Sequence, residues 1–453
     1  MPTPAQIGDK LGWQDAVIGN PPFVRYQEFT GTSRAKGLAA ALAQGVRLSQ
    51  LTSSWAPTLV HAAAFLKPQG RLAMVCPAEL LTVGYAEPIR SWLQRRFAAV
   101  KLVLFEKLQF HDAEEQVVLL VAQGQGPCAG FLVHQVHDAA ELAKGHILDP
   151  MPTSPAAYGK WSDLALSSEQ RSLLKRVHSM MVRLDSYGSP ELGSVTGNNA
   201  FFTLNEPTRR RYNIDPKHLV PISPPGTRHL KGMAFTRTDW EELRLAGERV
   251  WLLRPQGRLR ASGLQKYIAE GEAAKVNDAY KCSIRDPWWR PPVAPKPDLF
   301  FTYMSHRYPR LIANTSDATL LNSMHGIRLK GSAKSAIRNA LSLLALNSAT
   351  MAGAETLGRA YGGGVLKMEP REAASLPVPK PDHLHKAWAL LKDRQAELDR
   401  RLRAKEWWCV VSEVDRVLLK EVMGLPPEDV VALQDAATFM RVRRTRQTEE
   451  HAG

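Results

Sequence analysis

The chain has 453 residues, of which 44% are hydrophobic and 23% are charged. This composition is sufficient for two or three domains with hydrophobic cores, and it excludes wholesale disorder. The 59 Lys and Arg residues outnumber the 44 Asp and Glu residues, and the net charge of +15 favours a polyanionic partner such as nucleic acid.

Residues 15–125 show strand patterns that alternate with helical patterns. Helices are predicted at 53–67 and 86–97, and strands at 15–19, 71–77, 100–106 and 116–122. The apolar run DAVIG (15–19) predicts a short buried strand. The alternation is typical of a doubly wound α/β sheet. The strand, glycine-rich turn and helix that usually open such a sheet are not recognised, so the sheet is expected to be partial.

The rest of the chain divides into a basic segment and a helical segment. Residues 190–380 are rich in Pro, Gly, Arg and aromatic residues, with short strand patterns and one long helix at 333–347. They contain 28 Lys and Arg residues against 16 Asp and Glu residues, so most of the net positive charge falls here. We predict domains at 1–150, 190–380 and 383–453, the last of them helical.

The cysteines and the apolar segments exclude several classes of protein. The four cysteines are widely spaced, which predicts neither a disulfide framework nor a metal site. Cys76 lies in the run LAMVCP and is expected in the core. No apolar signal core or membrane-length stretch is recognised. We expect a cytoplasmic protein with no membrane partner and no metal.

The tetrapeptide Asn20-Pro21-Pro22-Phe23 directly follows the first strand, where open α/β sheets bind their ligands. One reaction that suits such a loop is transfer of a group to the exocyclic amine of adenine. That amine is a poor nucleophile because its lone pair is delocalised into the ring. The Asn20 side-chain oxygen and the Pro21 carbonyl can accept both amine hydrogens and localise that lone pair, since two prolines fix the backbone. Phe23 offers a flat apolar face to a flipped base. A rigid turn without catalytic function is the alternative interpretation.

The chain resembles the gamma-class adenine-N6 DNA methyltransferases of restriction-modification systems, of the TaqI-like and XhoI-like type. The similar segments are DAVIGNPPFVRYQEF (15–29), FLKPQGRLAMVCPAELL (65–81), LVLFEKLQFHDAEEQVVLLV (102–121), VTGNNAFFTL (195–204), RDPWWRPP (285–292), PDLFFTYMS (297–305) and YGGGVLKMEP (361–370). The resemblance implies transfer of a methyl group from S-adenosylmethionine to an adenine flipped out of double-stranded DNA, in a restriction-modification or phage-defence system. It also implies that Phe23 and Phe110 sandwich the flipped base, and an ordinary core aromatic is the alternative interpretation of Phe110.

The fold that the resemblance implies is a partial Rossmann-like methyltransferase sheet, then a mixed α+β target-recognition domain and a helical C-terminal region. Gamma-class enzymes carry a glycine-rich cofactor loop ahead of this motif, and only nineteen residues precede Asn20. Gly124-Gln125-Gly126 and Gly362-Gly363-Gly364 lack the strand, turn and helix that such a loop requires. We therefore expect a second subunit to bind S-adenosylmethionine, so that the enzyme is active only as a heterodimer.

The basic segment is predicted to contact DNA phosphates. The predicted DNA-binding residues are Arg209, Arg210, Arg211, Lys217, Arg228 and Lys231. For the arginine run, a solvated charged surface is the alternative.

Three other functions compete with adenine methylation. The main alternative is a methyltransferase remnant that binds DNA or a defence complex and transfers nothing. Similar loops occur in methyltransferases that act on protein glutamine or rRNA guanine, but the protein-modifying relatives need no large basic domain. Cytosine-N4 enzymes typically carry Ser-Pro-Pro, and Ser223-Pro224-Pro225 follows no predicted strand.

Overall fold

The structure is a computed structural model in which the chain forms two units. The first unit comprises residues 1–174, 355–365 and 438–453, and the second comprises residues 175–354 and 366–437. The residues that the structure describes are 6, 12–105, 117–128, 131–144, 151–153, 160–257 and 262–449. Phe110, predicted to stack on the flipped base, lies outside the described residues.

A six-stranded mixed sheet organises the first unit. Its strands are β1 (Gln14–Gly19), β2 (Leu66–Pro77), β3 (Ala99–Phe105), β4 (Val117–Gln123), β5 (Phe131–Val136) and β6 (Met151–Thr153). They lie in the order β1-β2-β4-β3-β5-β6. β1 is parallel to β2 and β3 is parallel to β5, whereas β4 is antiparallel to both of its neighbours and β6 is antiparallel to β5.

In the described residues, helices lie between β1 and β2, between β2 and β3, and between β5 and β6. These helices are α1 (Gly31–Ala43), α2 (Trp55–Ala62), α3 (Glu79–Thr82), α4 (Glu87–Arg96) and α5 (Ala139–Ala143). In β2, Leu72, Met74 and Cys76 are almost fully buried, as expected for alternate residues on the core face of a strand. Cys76 is therefore a core residue as predicted, and burial raises the pKa of its thiol to about 12.

Two details of the sequence-based prediction are wrong in this unit. The strand at 15–19 is present but is not buried, since Ile18 is 83% exposed. The reason is that β1 is an edge strand, which pairs only with β2 among the described residues. The helix predicted to run to residue 67 ends earlier, and Lys67 already belongs to β2, because Pro68 disfavours a helical conformation in the residue before it.

Short strands and helices make up the rest of the described chain. The strands are β7 (Met181–Arg183), β8 (Pro190–Leu192), β9 (Thr203–Leu204), β10 (Leu219–Pro221), β11 (Ala234–Phe235), β12 (Trp251–Leu253), β13 (Leu299–Phe301), β14 (Met304–Ser305), β15 (Leu311–Asn314), β16 (His325–Ile327), β17 (Arg359–Tyr361), β18 (Val365–Lys367) and β19 (Pro377–Pro379). The helices are α6 (Ser168–Ser179), α7 (Asn199–Phe202), α8 (Glu206–Arg211), α9 (Arg237–Leu245), α10 (Ser262–Ala273), α11 (Tyr280–Ser283), α12 (Lys334–Leu344), α13 (Ser348–Leu357), α14 (Pro370–Ala374), α15 (Pro381–Leu391), α16 (Gln395–Arg403), α17 (Trp407–Val414), which continues as a π-helix over Asp415–Val422, and α18 (Pro427–Glu449).

The second unit contains a five-stranded sheet, β11-β15-β13-β16-β8, and a three-stranded sheet, β10-β12-β9. The predicted short strands are thus confirmed, but the prediction of a single long helix in this region is wrong, since α10 and α13 have 12 and 10 residues. Glycine lowers the helix propensity of both sequences. A Cβ atom at Gly271 would lie 2.4 Å from the Phe201 ring, and one at Gly353 would lie 2.4 Å from Pro377. Close packing therefore explains these two glycines, which the local pattern cannot show.

Candidate active site

The Asn20-Pro21-Pro22-Phe23 loop begins where β1 ends. Because β1 and β2 are parallel neighbours, their carboxyl ends meet at one edge of the sheet, which is the ligand-binding edge of open α/β sheets. Asn20 and Pro22 are exposed, Pro21 is buried and Phe23 is half-buried. No hydrogen bond joins the Asn20 side chain to the residues that the structure describes. Its amide can therefore bind an external group.

Ser54, the residue before α2, holds the backbone of this loop. Its hydroxyl donates to the Pro22 carbonyl and accepts from the Val24 amide at 2.9 Å. The Ser54 amide donates to the Val24 carbonyl at 3.0 Å. Ser54 is only 5% exposed, so water competes little for these bonds. The loop is thus restrained from outside as well as by its own prolines.

A hydrogen-bonded cluster joins Trp55, at the start of α2, to Glu79 and Tyr85, which follow the carboxyl end of β2. The Trp55 indole donates to the Tyr85 hydroxyl at 3.1 Å and to a Glu79 carboxylate oxygen at 3.3 Å, and the Tyr85 hydroxyl donates to the same oxygen. Burial and the Glu79 carboxylate raise the pKa of Tyr85, so the phenol keeps its proton and remains a donor. Since Trp55 directly follows Ser54, the start of α2 is bonded to the segments that follow β1 and β2.

Arg90 fixes the segment that carries Glu79. Its side chain is 1% exposed and donates to the carbonyls of Leu80 and Val83 at 2.9 and 3.0 Å. Burial lowers the pKa of Arg90 to about 10, which leaves it charged at neutral pH. A buried cation therefore stabilises the backbone directly after β2.

The half-buried ring of Phe23 packs against the apolar core of the sheet while keeping an accessible part. An accessible aromatic surface beside Asn20 is suitable for stacking a base. Because Phe110 lies outside the described residues, the sandwich of Phe23 and Phe110 stays a prediction.

The described glycine clusters do not fit S-adenosylmethionine by themselves. Gly124 and Gly126 follow β4 with φ values of 69° and 129°, but the next element is β5 rather than a helix. Gly362–Gly364 form a turn between β17 and β18. Cofactor loops of doubly wound sheets instead lead from a strand into the N-terminus of a helix. In the same described ranges, no group of three or more metal-ligating side chains is found.

The arginine run of the second unit is partly neutralised by Glu206. A Glu206 carboxylate oxygen lies 2.7, 3.2 and 3.7 Å from guanidinium nitrogens of Arg209, Arg210 and Arg244. The other carboxylate oxygen accepts a hydrogen bond at 3.1 Å from the indole nitrogen of Trp251. Hydrogen bonds from three side chains lower the pKa of Glu206 to about 2. The bond from Arg209 has the largest effect, and those from Trp251 and Arg210 add to it. The Arg209 side chain is 21% exposed, compared with 70% for Arg210. Arg209 is therefore engaged within the protein, and its phosphate contact stays a prediction.

The other predicted DNA-binding residues lie at the surface. Arg211 is exposed, with its guanidinium 5.4 Å from the centre of the Tyr212 ring. Lys217 is exposed and pairs with Asp215 at 3.0 Å. Arg228 and Lys231 are also exposed, and neither forms an ion pair with any residue in the described ranges. DNA contact by these residues stays a prediction.

Sequence reasoning missed Ser54 and Glu206. Ser54 precedes α2 in the run Ser53-Ser54-Trp55, which is the ordinary pattern of a helix N-cap, so the sequence carries no sign of its bonds to the loop. Glu206 precedes the arginine run, and the spacing to Arg209 and Arg210 is the spacing of helical ion pairs. The sequence therefore does carry a signal for the pairing of Glu206.

Two family models match the chain. The model described as "Eco57I restriction-modification methylase" matches residues 9–110, and "Type II methyltransferase M.Eco57I, C-terminal domain" matches residues 158–419. Type II methyltransferase M.AccI of Acinetobacter calcoaceticus is 23% identical over 369 residues, which cover 79% of this chain and 67% of that protein. Type II methyltransferase M.XamI of Xanthomonas campestris pv. amaranthicola is 23% identical over 381 residues, which cover 82% of this chain and 68% of that protein.

The fold has a relative among solved structures. The Type IIL restriction-modification enzyme MmeI, solved in complex with DNA, superposes with a TM-score of 0.56 at 12% identity, over 96% of this chain and 57% of that chain. The chain therefore spans little more than half the length of MmeI, and the likeness confirms a mixed α/β fold. Within the described ranges, no helix has the length and apolar character needed to cross a membrane. Since one family model covers more than half of the residues, the chain belongs to the Eco57I-type family of Type II restriction-modification methyltransferases.

Proposed function

We propose that this chain is the catalytic and target-recognition part of a site-specific adenine-N6 DNA methyltransferase. The observation that carries the proposal is the Asn20-Pro21-Pro22-Phe23 loop at the carboxyl end of a parallel strand, with an exposed Asn20 amide. The restriction-modification methyltransferase family implies DNA as the substrate and S-adenosylmethionine as the methyl donor.

The loop prepares the adenine amine for methylation. The Asn20 side-chain oxygen accepts one amine hydrogen and the Pro21 carbonyl accepts the other. With both hydrogens bound, the lone pair of the amine nitrogen is localised and directed away from the ring. Preorganised acceptors of this kind stabilise the positive charge that develops on the nitrogen during transfer.

Aromatic stacking holds the base in this position. The accessible part of Phe23 supports one face of the flipped adenine, and Phe110 supports the other. Stacking of a base on an aromatic side chain contributes about 1–3 kcal/mol, which offsets the loss of stacking within the duplex.

A partner subunit supplies the cofactor-binding strands at the edge of β1 that faces away from β2. In a doubly wound sheet, the strand with the glycine-rich loop lies beside the first strand of the second half. Here β1 pairs only with β2 among the described residues, and Ile18 and Trp13 are 83% and 46% exposed. An unpaired strand edge with exposed apolar side chains is unfavourable in water and favours such a partner.

An assay of methyl transfer tests the proposal. The tagged full chain is isolated from its native cells with the polypeptides that copurify, then incubated with S-adenosylmethionine and DNA. Mass spectrometry of the nucleosides should detect N6-methyladenine. In Asn20→Ala, we expect transfer to fall by at least about a hundredfold, since one preorganised group is lost. The DNA dissociation constant should stay within about threefold, because the proposed partner of Asn20 is the base amine rather than a phosphate.

Gln27→Ala is the matched control, since it removes an exposed side-chain amide close to the loop but outside it. This variant should transfer methyl groups like the parent. Methylation of cytosine would overturn the adenine assignment. DNA binding without any methyl transfer by the parent complex would favour the non-catalytic alternative.

A further inference from the structure

Ser54 occupies the position at which a helix is usually capped. Side chains of serine before a first helical turn normally accept a hydrogen bond from a backbone amide two or three residues later. The Ser54 side chain makes no such bond with α2. Its hydroxyl bonds instead to Pro22 and Val24, thirty residues or more away in sequence. The hydroxyl therefore serves the loop rather than the helix.

The loop has few means of fixing itself. Pro21 and Pro22 have no amide hydrogen, so Phe23 and Val24 supply the first backbone donors after Asn20. One of these donors, the Val24 amide, is bound by the Ser54 hydroxyl. The Pro22 carbonyl accepts from the same hydroxyl. Ser54 thus binds on both sides of Phe23.

These bonds determine the direction of the peptide groups near Asn20. Binding the Pro22 carbonyl sets the peptide plane after Pro22, and the proline rings fix φ at Pro21 and Pro22. The preceding Pro21 carbonyl is then left with little rotational freedom. Its orientation decides whether it can accept a hydrogen from a bound amine.

We propose that Ser54 is a positioning residue that holds the Pro21 carbonyl and Phe23 in the orientation needed for methyl transfer. This inference rests on the proposed function, and it adds a residue from the start of α2 to the site. Errors of about 1 Å in the position of reacting groups lower rates by about a hundredfold. Ser54→Ala should therefore lower kcat by about ten- to a hundredfold, while KM for DNA changes less than about twofold.

The variants are made in the full chain and assayed in the copurified complex. Ser54→Thr keeps the hydroxyl and should restore most of kcat. Thr58→Ala is the matched control, because the Thr58 hydroxyl on α2 donates at 2.9 Å to the Ser54 carbonyl and forms no hydrogen bond with the loop. This control should keep the parent kcat.

Hydrogen exchange provides a readout that does not depend on activity. In a peptide covering residues 20–24, the prolines carry no amide, so exchange reports mainly on Phe23 and Val24. Loss of one hydrogen bond in Ser54→Ala should speed exchange at Val24 by about three- to tenfold. Ser54→Thr should restore the protection and Thr58→Ala should not change it.

The two measurements separate the inference from the proposed function. A parent complex that transfers no methyl group contradicts the proposed function, and exchange at Val24 then shows whether Ser54 holds the loop. Parent-like exchange in Ser54→Ala overturns the inference in either case. In an active complex, faster exchange with an unchanged kcat also overturns it, because the bonds would then have no effect on the reaction.

Discussion

The loop after β1 and the arginine run on α8 use polar groups in opposite ways. In the loop, Ser54 binds the backbone of Pro22 and Val24, which leaves the Asn20 side chain exposed. On α8, Glu206 binds the charged groups themselves and takes Arg209 out of solvent. The bonds in the loop leave the Asn20 amide exposed to solvent, whereas the bonds on α8 pair arginine side chains with a carboxylate.

The difference shows how much a short motif and a net charge each predict about functional residues. A short motif in the correct structural context, such as Asn20-Pro21-Pro22-Phe23 after a strand, predicts a location and an exposed group. The net charge of a segment gives only the total of its positive and negative side chains. It does not show which of the cations are paired with a carboxylate. The basic segment is still expected to bind DNA, and the contacts are expected from cations that stay well exposed, such as Arg210 at 70%.

The largest expected effect concerns the sheet edge beside the loop. We expect the isolated chain to bind no S-adenosylmethionine and to methylate no DNA until a partner pairs with β1. Ile18→Lys should abolish both copurification of the partner and methyl transfer, because it places a charge on the face that the partner covers. The melting temperature of the chain alone should not change, since Ile18 is 83% exposed.

Leu245→Lys is the control for this prediction, because Leu245 is 77% exposed on α9 and lies in the other unit. It should keep both the partner and the activity. Isothermal titration calorimetry of the isolated chain decides the main point. Micromolar binding of S-adenosylmethionine without a partner would contradict the split arrangement.

An intermediate effect is expected on the salt dependence of DNA affinity when basic residues of the second unit are replaced. Replacing Arg210, Arg211, Arg228 and Lys231 by Gln should reduce the slope of log affinity against log salt by about 0.9 for each phosphate that the protein no longer binds. Replacing Arg209 by Gln should leave the slope unchanged and lower the stability instead, because Arg209 binds Glu206. Fluorescence anisotropy at several salt concentrations measures the slope.

Arg416→Gln serves as the control, since Arg416 is half exposed and pairs with acidic neighbours on its own helix. Its slope should equal that of the parent. If Arg209→Gln reduces the slope as much as Arg210→Gln does, then Arg209 leaves Glu206 to bind DNA, and the two regions do not differ in the way proposed.

The first half of the fold was predictable because its signals are local. The strands β2, β3 and β4 are runs of apolar residues, and the loop motif directly follows β1. The exposed position of β1 was not predictable from DAVIG, since burial depends on which strands lie beside it. Ser54 could not be distinguished from a helix cap, because its partners Pro22 and Val24 are distant in sequence.

In the basic segment, the local spacing predicts part of the arrangement and tertiary contacts supply the rest. Glu206, Arg209 and Arg210 are spaced as helical ion pairs, so their association follows from the sequence. Arg244 and Trp251 reach Glu206 from α9 and β12. The strength of the cluster therefore could not be derived from the arginine run alone.

The smallest expected effect is on the pH dependence of stability. The pKa of Glu206 is lowered to about 2 in the folded protein, chiefly by Arg209, from an ordinary value of 4.5. A lowered folded-state pKa gives stability that is present above the unfolded pKa and is lost as the pH falls towards the folded pKa. Glu206→Gln should therefore lower the free energy of unfolding by about 1–2 kcal/mol at pH 7. The difference in the free energy of unfolding between this variant and the parent should shrink as the pH falls from 4.5 to 3.

Urea titrations at several pH values measure this difference. Glu191→Gln is the matched control in the same unit, because the Glu191 side chain is 52% exposed and pairs with Arg328 at 3.2 Å. Exposed pairs contribute little, so this variant should match the parent at every pH. A Glu206→Gln protein that is as stable as the parent at pH 7 would show that Glu206 does not hold the arginines. Arg209 would then be as free to bind phosphate as Arg210, and the two regions would no longer differ in how they use their polar groups.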